Sequence, residues 1–259
     1  MRRTALSTVG TLVVAAASVA CSLLVETAGL SGTADRADTD AASEPVVDAG
    51  DATTDAAPAP HPCADTTLAF CETFDDQGAL ARFAQDTDLT TSIAIDGPPF
   101  VTGPASARFE ILADTNNSSP DATLQFTTAS TLARAAVDAW VLIERSEPML
   151  AARLFLMNVG NQENVFVQRN GSIRTNSGEI GAVAAPPAGR WFRIHVEART
   201  DVVPPTILVE LDGARSGAIP VGNVAWKPGP AVVRFGISEA NSPTTGWLVR
   251  WDDVVVKSL

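Results

Sequence analysis

The residues able to do chemistry in this 259-residue chain are few and scattered. Its last stretch reads GWLVRWDDVVVKSL and sets Asp252 and Asp253 between a tryptophan and three valines. Paired carboxylates can do acid–base work, hold a hard cation, or simply accept backbone hydrogen bonds. A retaining glycosidase needs two carboxyls about 5 Å apart, which acids alternating along one strand can supply. The nearest approach is ELDGAR, where Glu210 and Asp212 are followed by Arg215 in place of a further acid. Asp212-Gly213 is itself a turn signal that ends such a strand. Glu144 and Glu147, three apart, fall on opposite faces if extended. His61 and His195 are the only histidines, tyrosine is absent, and no G-x-S-x-G occurs. A serine-hydrolase triad, a lyase base pair and a zinc site therefore have no support, and no catalytic residue is predicted.

Binding is the better-supported class. In AVDAWVLIE the alternate residues Val137, Ala139, Val141 and Ile143 are uniformly apolar and predict the core face of a strand. Asp138, Trp140, Leu142 and Glu144 then face outward. An exposed indole can stack on the C–H face of a sugar while carboxylates orient its hydroxyls. Trp140 with Asp138 and Glu144, aided by Arg153 or Asn158 on the next strand, is the candidate ligand patch. The competing expectation is that a loop covers Trp140 or that it packs in the core, as expected for Trp191 and Trp251.

These residues sit in a chain of uneven charge. The net charge of -12 divides into +2 over 1–21, -7 over 22–62 and -7 over 63–259. With only Lys227 and Lys257 as lysines and no basic cluster, nucleic acid is excluded as a partner. MRR followed by TALSTVGTLVVAAASVA reads as a positively charged start and a short apolar stretch, the pattern of a secretory signal. Cys21 follows directly. SVAC resembles a bacterial lipobox, with Ser18 where that pattern prefers leucine. The resemblance implies lipidation of Cys21 and, with Ser22 next, outer-membrane anchoring; the alternative is ordinary cleavage near Ala20 and secretion. Residues 22–62 are rich in Ala, Asp, Thr and Pro and carry no apolar period, so they predict a disordered acidic tether.

The foldable part begins at Cys63 and Cys71. In an exported chain this pair predicts a disulfide, contributing about 2–3 kcal/mol by loop closure; two thiolates near only His61 make a poor metal site. From there to the end, short alternating or β-branched runs are punctuated by DGPP, NNSSP, RNGS, AAPPAGR, LDGARSG, KPGP and NSPTTG. This spacing predicts an all-β sandwich with no long helix, QGALARFAQD giving at most one short one. Asn170-Gly171 and Asp212-Gly213 are hairpin turns.

The order of these runs, with Gly189-Arg190-Trp191, Leu211-Asp212-Gly213 and Asp252-Asp253-Val254 at their places, resembles the concanavalin A-like jelly roll and most closely its laminin G-like members. The likeness covers nearly all of 65–259. It implies a two-sheet antiparallel jelly-roll sandwich over 63–259, and supports no single activity, because the fold hosts lectins, glycosidases, lyases and adhesion modules. It also implies that the first and last strands lie side by side, where Glu72, Asp75, Asp252 and Asp253 would hold one structural Ca²⁺. The alternative is that Asp75 and Asp76 cap a short helix and the closing aspartates accept backbone hydrogen bonds. Strict alternation puts Asp252 and Asp253 on opposite faces of the last strand. The resulting expectation is a monomeric, non-catalytic envelope module for a glycan or surface protein, with a degenerate carbohydrate-active enzyme or a purely structural lipoprotein as the alternatives.

Overall fold

The structure, a computed structural model, describes residues 61–65, 67–113, 119–146, 152–160, 164–221, 226–240 and 245–259. The signal, Cys21, Glu147 and the tether up to residue 60 lie outside the described residues.

Among the described residues fifteen strands follow in chain order: β1 (Phe70–Glu72), β2 (Ala84–Thr87), β3 (Thr91–Asp96), β4 (Ser106–Ile111), β5 (Ala122–Thr127), β6 (Arg134–Arg145), β7 (Arg153–Val159), β8 (Val165–Gln168), β9 (Ser172–Thr175), β10 (Gly178–Ala182), β11 (Trp191–Arg199), β12 (Thr206–Leu211), β13 (Ala214–Pro220), β14 (Ala231–Ser238) and β15 (Trp247–Ser258). They form two antiparallel sheets. One runs β13-β12-β11-β6-β15-β4-β3 with β1 also on β15; the other runs β10-β9-β8-β7-β14-β5-β2. This is the two-sheet jelly-roll sandwich that the sequence predicts.

The core lies between the sheets, where alternation puts it. From β6 come Val137, Ala139, Val141 and Ile143, all at most 2% exposed. From β11 and β12 come Phe192, Ile194, Val196, Ile207, Val209 and Leu211, and from β15 Trp247, Val249 and Trp251. Trp251 stacks toward Phe155 of the facing sheet at 6.5 Å and tilts against Phe235 at 5.1 Å, so aromatic rings join the layers at the centre.

Turns appear where their chemistry requires. Asp212 and Gly213 both take positive φ, 48° and 81°, the geometry of a two-residue hairpin. The outer segment ARSGAIP, expected to be turn, is instead the edge strand β13, because that hairpin folds it back onto β12. β3 and β10 are likewise strands where none was expected. QGALARFAQD gives only a 3-10 turn at Ala79–Arg82 before continuing as β2.

Two features position the site. β1 pairs antiparallel with β15, Phe70 opposite Val256 and Glu72 opposite Val254, so the chain ends meet as expected. Immediately before β1 the chain makes a 3-10 turn at Pro62–Ala64, and a Cys63–Cys71 disulfide ties this segment to the strand. Residues 61–65 and 67–69 are called the strap below.

Candidate functional site

Asp138 and Trp140 stand on the outer face of β6, as alternation requires, and their neighbours come from β11 and β15. Arg193 is opposite Trp140 and His195 is opposite Asp138 on β11; Asp252 is opposite Trp140 and Val255 opposite Asp138 on β15. Side chains at directly opposed positions lie within reach of one another, and here they converge on one carboxylate. Asp138 Oδ1 accepts from Arg193 at 2.6 Å and lies 3.0 Å from His195 Nδ1, while Oδ2 accepts from Lys257 Nζ at 3.0 Å. Asp138 is only 7% exposed. Burial alone would raise its pKa, but hydrogen bonds from His195 and Lys257, with the charges of His195 and Arg193, outweigh it and hold the carboxyl far below the ordinary range.

The strap turns this patch into a cavity. Pro62, Asp65 and Leu68 line it together with Asp138, Trp140, Arg193, Asp253, Val255 and Lys257, around a volume of about 320 Å³. Trp140 is half-buried and faces the cavity rather than being covered, so neither expected alternative for it holds fully.

Of the other expected ligand residues, Glu144 is on the correct face but is engaged elsewhere. It bonds the guanidinium of Arg250, which also donates to Gly97 O at 3.0 Å, Ser106 Oγ at 3.3 Å and Asp96 Oδ2 at 3.0 Å. Arg250 is 5% exposed, so a buried guanidinium clamps the turn after β3 to partly exposed carboxylates. Arg153 must be removed from the patch. β7 lies in the opposite sheet, beside β14 and β8, because the chain crosses between sheets after β6 instead of forming a hairpin. Its guanidinium sits 3.8 Å over the Phe166 ring and pairs with Glu239. Asn158, on the same strand, is displaced for the same reason.

Arg193, His195 and Lys257 were not singled out as partners of Asp138. The signal was present: the alternation of WFRIHVEAR puts Arg193 and His195 on one face, as the alternation of AVDAW does for Asp138 and Trp140. What the sequence lacked was the pairing of these two strands.

The closing aspartates do not alternate. A bulge between Asp252 and Val255, with Asp253 at φ 50°, inserts a residue and turns both carboxyls toward the 97–103 segment. Asp252 is fully buried; Oδ2 accepts from the backbone of Val101 at 2.7 Å and Thr102 at 3.2 Å, and Oδ1 from Asp253 N at 2.9 Å. Burial, with Asp253 adjacent, pushes its pKa up to about 7 against the pull of those three N–H groups. Asp253 accepts from the Thr102 hydroxyl, and burial raises its pKa too, with Asp75 adding to the rise.

The four residues expected to hold calcium do not converge as a set. Glu72 accepts from Phe74 N at 3.0 Å and pairs with Arg82. Asp75 accepts the Thr73 hydroxyl at 2.8 Å and lies 3.7 Å from His61 Nε2, leaving a buried Oδ1 without a hydrogen bond. Among the described residues no group of three or more His, Cys, Asp or Glu side chains is arranged to hold a metal ion. Asp75 and Asp76 do not cap the 3-10 turn by their side chains either; Asp76 pairs with Arg82.

The ELDGAR acids are engaged elsewhere: Glu210 faces Arg215 across the hairpin at 3.5 Å, and Asp212 accepts from Arg193 N at 2.9 Å and pairs with Arg190 at 2.7 Å.

No protein-family model matches the sequence, and no curated protein does. Solved structures do share the fold. The cellulose-induced protein Cip1 superposes with a TM-score of 0.56 at 15% identity, covering 73% of this chain and 97% of its own. An endo-β-1,4-glucuronan lyase from the fungus Trichoderma reesei superposes with a TM-score of 0.52 at 10% identity, covering 74% and 96%. At these identities the likeness carries the fold alone.

Proposed function

We propose that the domain is a non-catalytic, glycan-binding module of the cell envelope. The observation that carries this reading is the cavity in which an accessible indole, Trp140, stands beside Arg193, Lys257 and Asp253. Sugar sites need this combination: a flat apolar surface for ring C–H groups and fixed polar groups for hydroxyls. The names of the two structural neighbours, one cellulose-induced and one a glucuronan lyase, support a carbohydrate setting. The module belongs to an exported protein, lipid-anchored through Cys21 at the outer membrane and set off from it by the acidic tether; two or more acyl chains would give stable anchoring. Within the jelly rolls, the G-R-W, L-D-G and D-D-V motifs favour the laminin G-like branch.

One observation favours a second reading, a carbohydrate-active enzyme. His195 Nδ1 lies 3.0 Å from buried Asp138, an arrangement that orients an imidazole for proton transfer. One experiment separates the two. Screened on a glycan array, the protein binds a saccharide, and Trp140→Ala weakens that binding at least about tenfold, the loss of one stacked ring. Retained affinity in that variant would remove the cavity as the site. Turnover of a bound polysaccharide that vanishes in His195→Ala would replace the first reading with the second.

A further inference from the structure

Resting on the glycan-binding reading of the Trp140 cavity, we infer that this site takes the end of a neutral saccharide chain, one or two units deep, and not an internal stretch of an acidic polymer. Charge and shape carry this separately.

The charge argument starts from the lining. Asp65, Asp138 and Asp253 contribute three carboxyls, Arg193 and Lys257 two cations. Both cations already bond Asp138. Even leaving Asp253 out of the count, the carboxylates and cations of the lining balance two to two. No cation is left over for an incoming carboxylate, and a uronate seated here would also meet the Asp65 carboxylate in the same lining. Neutral hydroxyls meet no such obstacle. Each can donate one proton and accept another. Arg193 and Lys257 keep N–H groups beyond those that bond Asp138. Asp253 Oδ2 and Asp65 Oδ2 accept nothing among the described residues, since the Thr102 hydroxyl and the Thr67 N–H and hydroxyl all go to the other oxygen. Donors and acceptors lining one cavity suit vicinal hydroxyls of an uncharged ring.

The shape argument starts from the strap. A groove for internal binding must be open at both ends. Here the outer sheet face is walled at β15, because Pro62, Asp65 and Leu68 lie across the cavity from Arg193 and border the same space as Val255 and Lys257. The disulfide and β1 fix that wall, since Cys63 and Cys71 bracket Asp65 and Leu68. A volume of about 320 Å³ is also at the small end of the roughly 300–1,000 Å³ typical of ligand sites. A chain can enter from the β11 side, where Arg193 is 55% exposed, and must stop at the strap.

The test uses the full chain on an array of matched oligosaccharides that differ only in having neutral or uronate units. Neutral members are expected to bind at least tenfold tighter than their uronate partners. Asp65→Lys, a change at an exposed residue of the cavity lining, is expected to close or reverse that gap. The number of domains bound per chain is expected to stay constant as the polymer lengthens. Equal or better binding of the uronate members would overturn the charge inference while leaving the glycan reading standing. A bound number that grows with polymer length would overturn end recognition. Silence across the whole array, neutral and acidic, would instead overturn the glycan-binding reading itself.

Discussion

Asp138 and Asp252 lie on neighbouring strands, and burial acts on both, yet their protons respond in opposite directions. Asp138 has cationic partners on both oxygens, so its folded-state pKa lies below the unfolded one. Its contribution is present above about pH 4 and is lost as the pH falls below that. Asp252 has only neutral N–H donors and is pushed up to about 7 from 3.8. The native state therefore holds that proton more tightly than the unfolded chain, and stability falls as pH rises between about 4 and 7, then levels off. The thermal midpoint is expected to be highest near pH 4–5 and to decline by pH 8. Asp138→Asn should weaken the acid limb, and Asp252→Asn, though less stable, should lose the alkaline one. A midpoint that rises steadily from pH 5 to 8 would contradict the Asp252 assignment. At this scale the sequence was legible wherever alternation alone decides: which face of β6 carries Asp138, Trp140 and Glu144. It was silent on which charges meet, because that depends on cross-strand pairing.

The strap and the bulge are the elements that make the site, and neither was visible beforehand as a site-forming feature. WDDVVV reads as regular alternation, and nothing in its composition marks Asp253 for positive φ except that aspartate tolerates it better than most residues. β10 and β13 were missed because their residues are weak strand formers, with Gly178, Gly181 and Gly217 among them, and their neighbours supply the pairing; β3, with Thr91, Ile93 and Ile95, carried the alternation and went unmarked. Arg153 was misplaced because consecutive strands were assumed to pair, and β6 and β7 do not. The disulfide, by contrast, was legible from spacing once export was expected. Replacing both cysteines with serine is expected to lower stability by about 2–3 kcal/mol in the loop-closure account. It should weaken saccharide binding further, through a looser Asp65–Leu68 wall, than the same loss of stability caused by a core substitution far from the strap. Equal effects on binding would show that the wall is not part of the site.

For the whole molecule, the sandwich was legible because two-residue periodicity and turn chemistry agree along most of 63–259, and that agreement defines a fold without defining a function. The closure of the jelly roll by its two ends was also legible. Its chemistry was not: the seam between β1, β15 and the 97–103 segment is held by backbone N–H groups on Asp252 and by Arg82 on Glu72, rather than by four carboxylates gathered at one point. Thermal unfolding of the intact protein is accordingly expected to have the same midpoint with EDTA as with millimolar calcium. A calcium-dependent rise would mean that Glu72 leaves Arg82 to join Asp75 at a bound ion.

The disulfide also decides how mechanical load would travel. A pull on the chain from its N-terminal side reaches the domain at Pro62, the first residue of the cavity wall. One residue later it meets Cys63, and the covalent bond hands the tension directly to Cys71 within β1. The intervening loop with Asp65 and Leu68 is bypassed and stays slack. Tension then falls on the short β1–β15 ladder, and because the disulfide ties the wall facing Trp140 to β1, peeling that strand would carry the wall away and open the cavity.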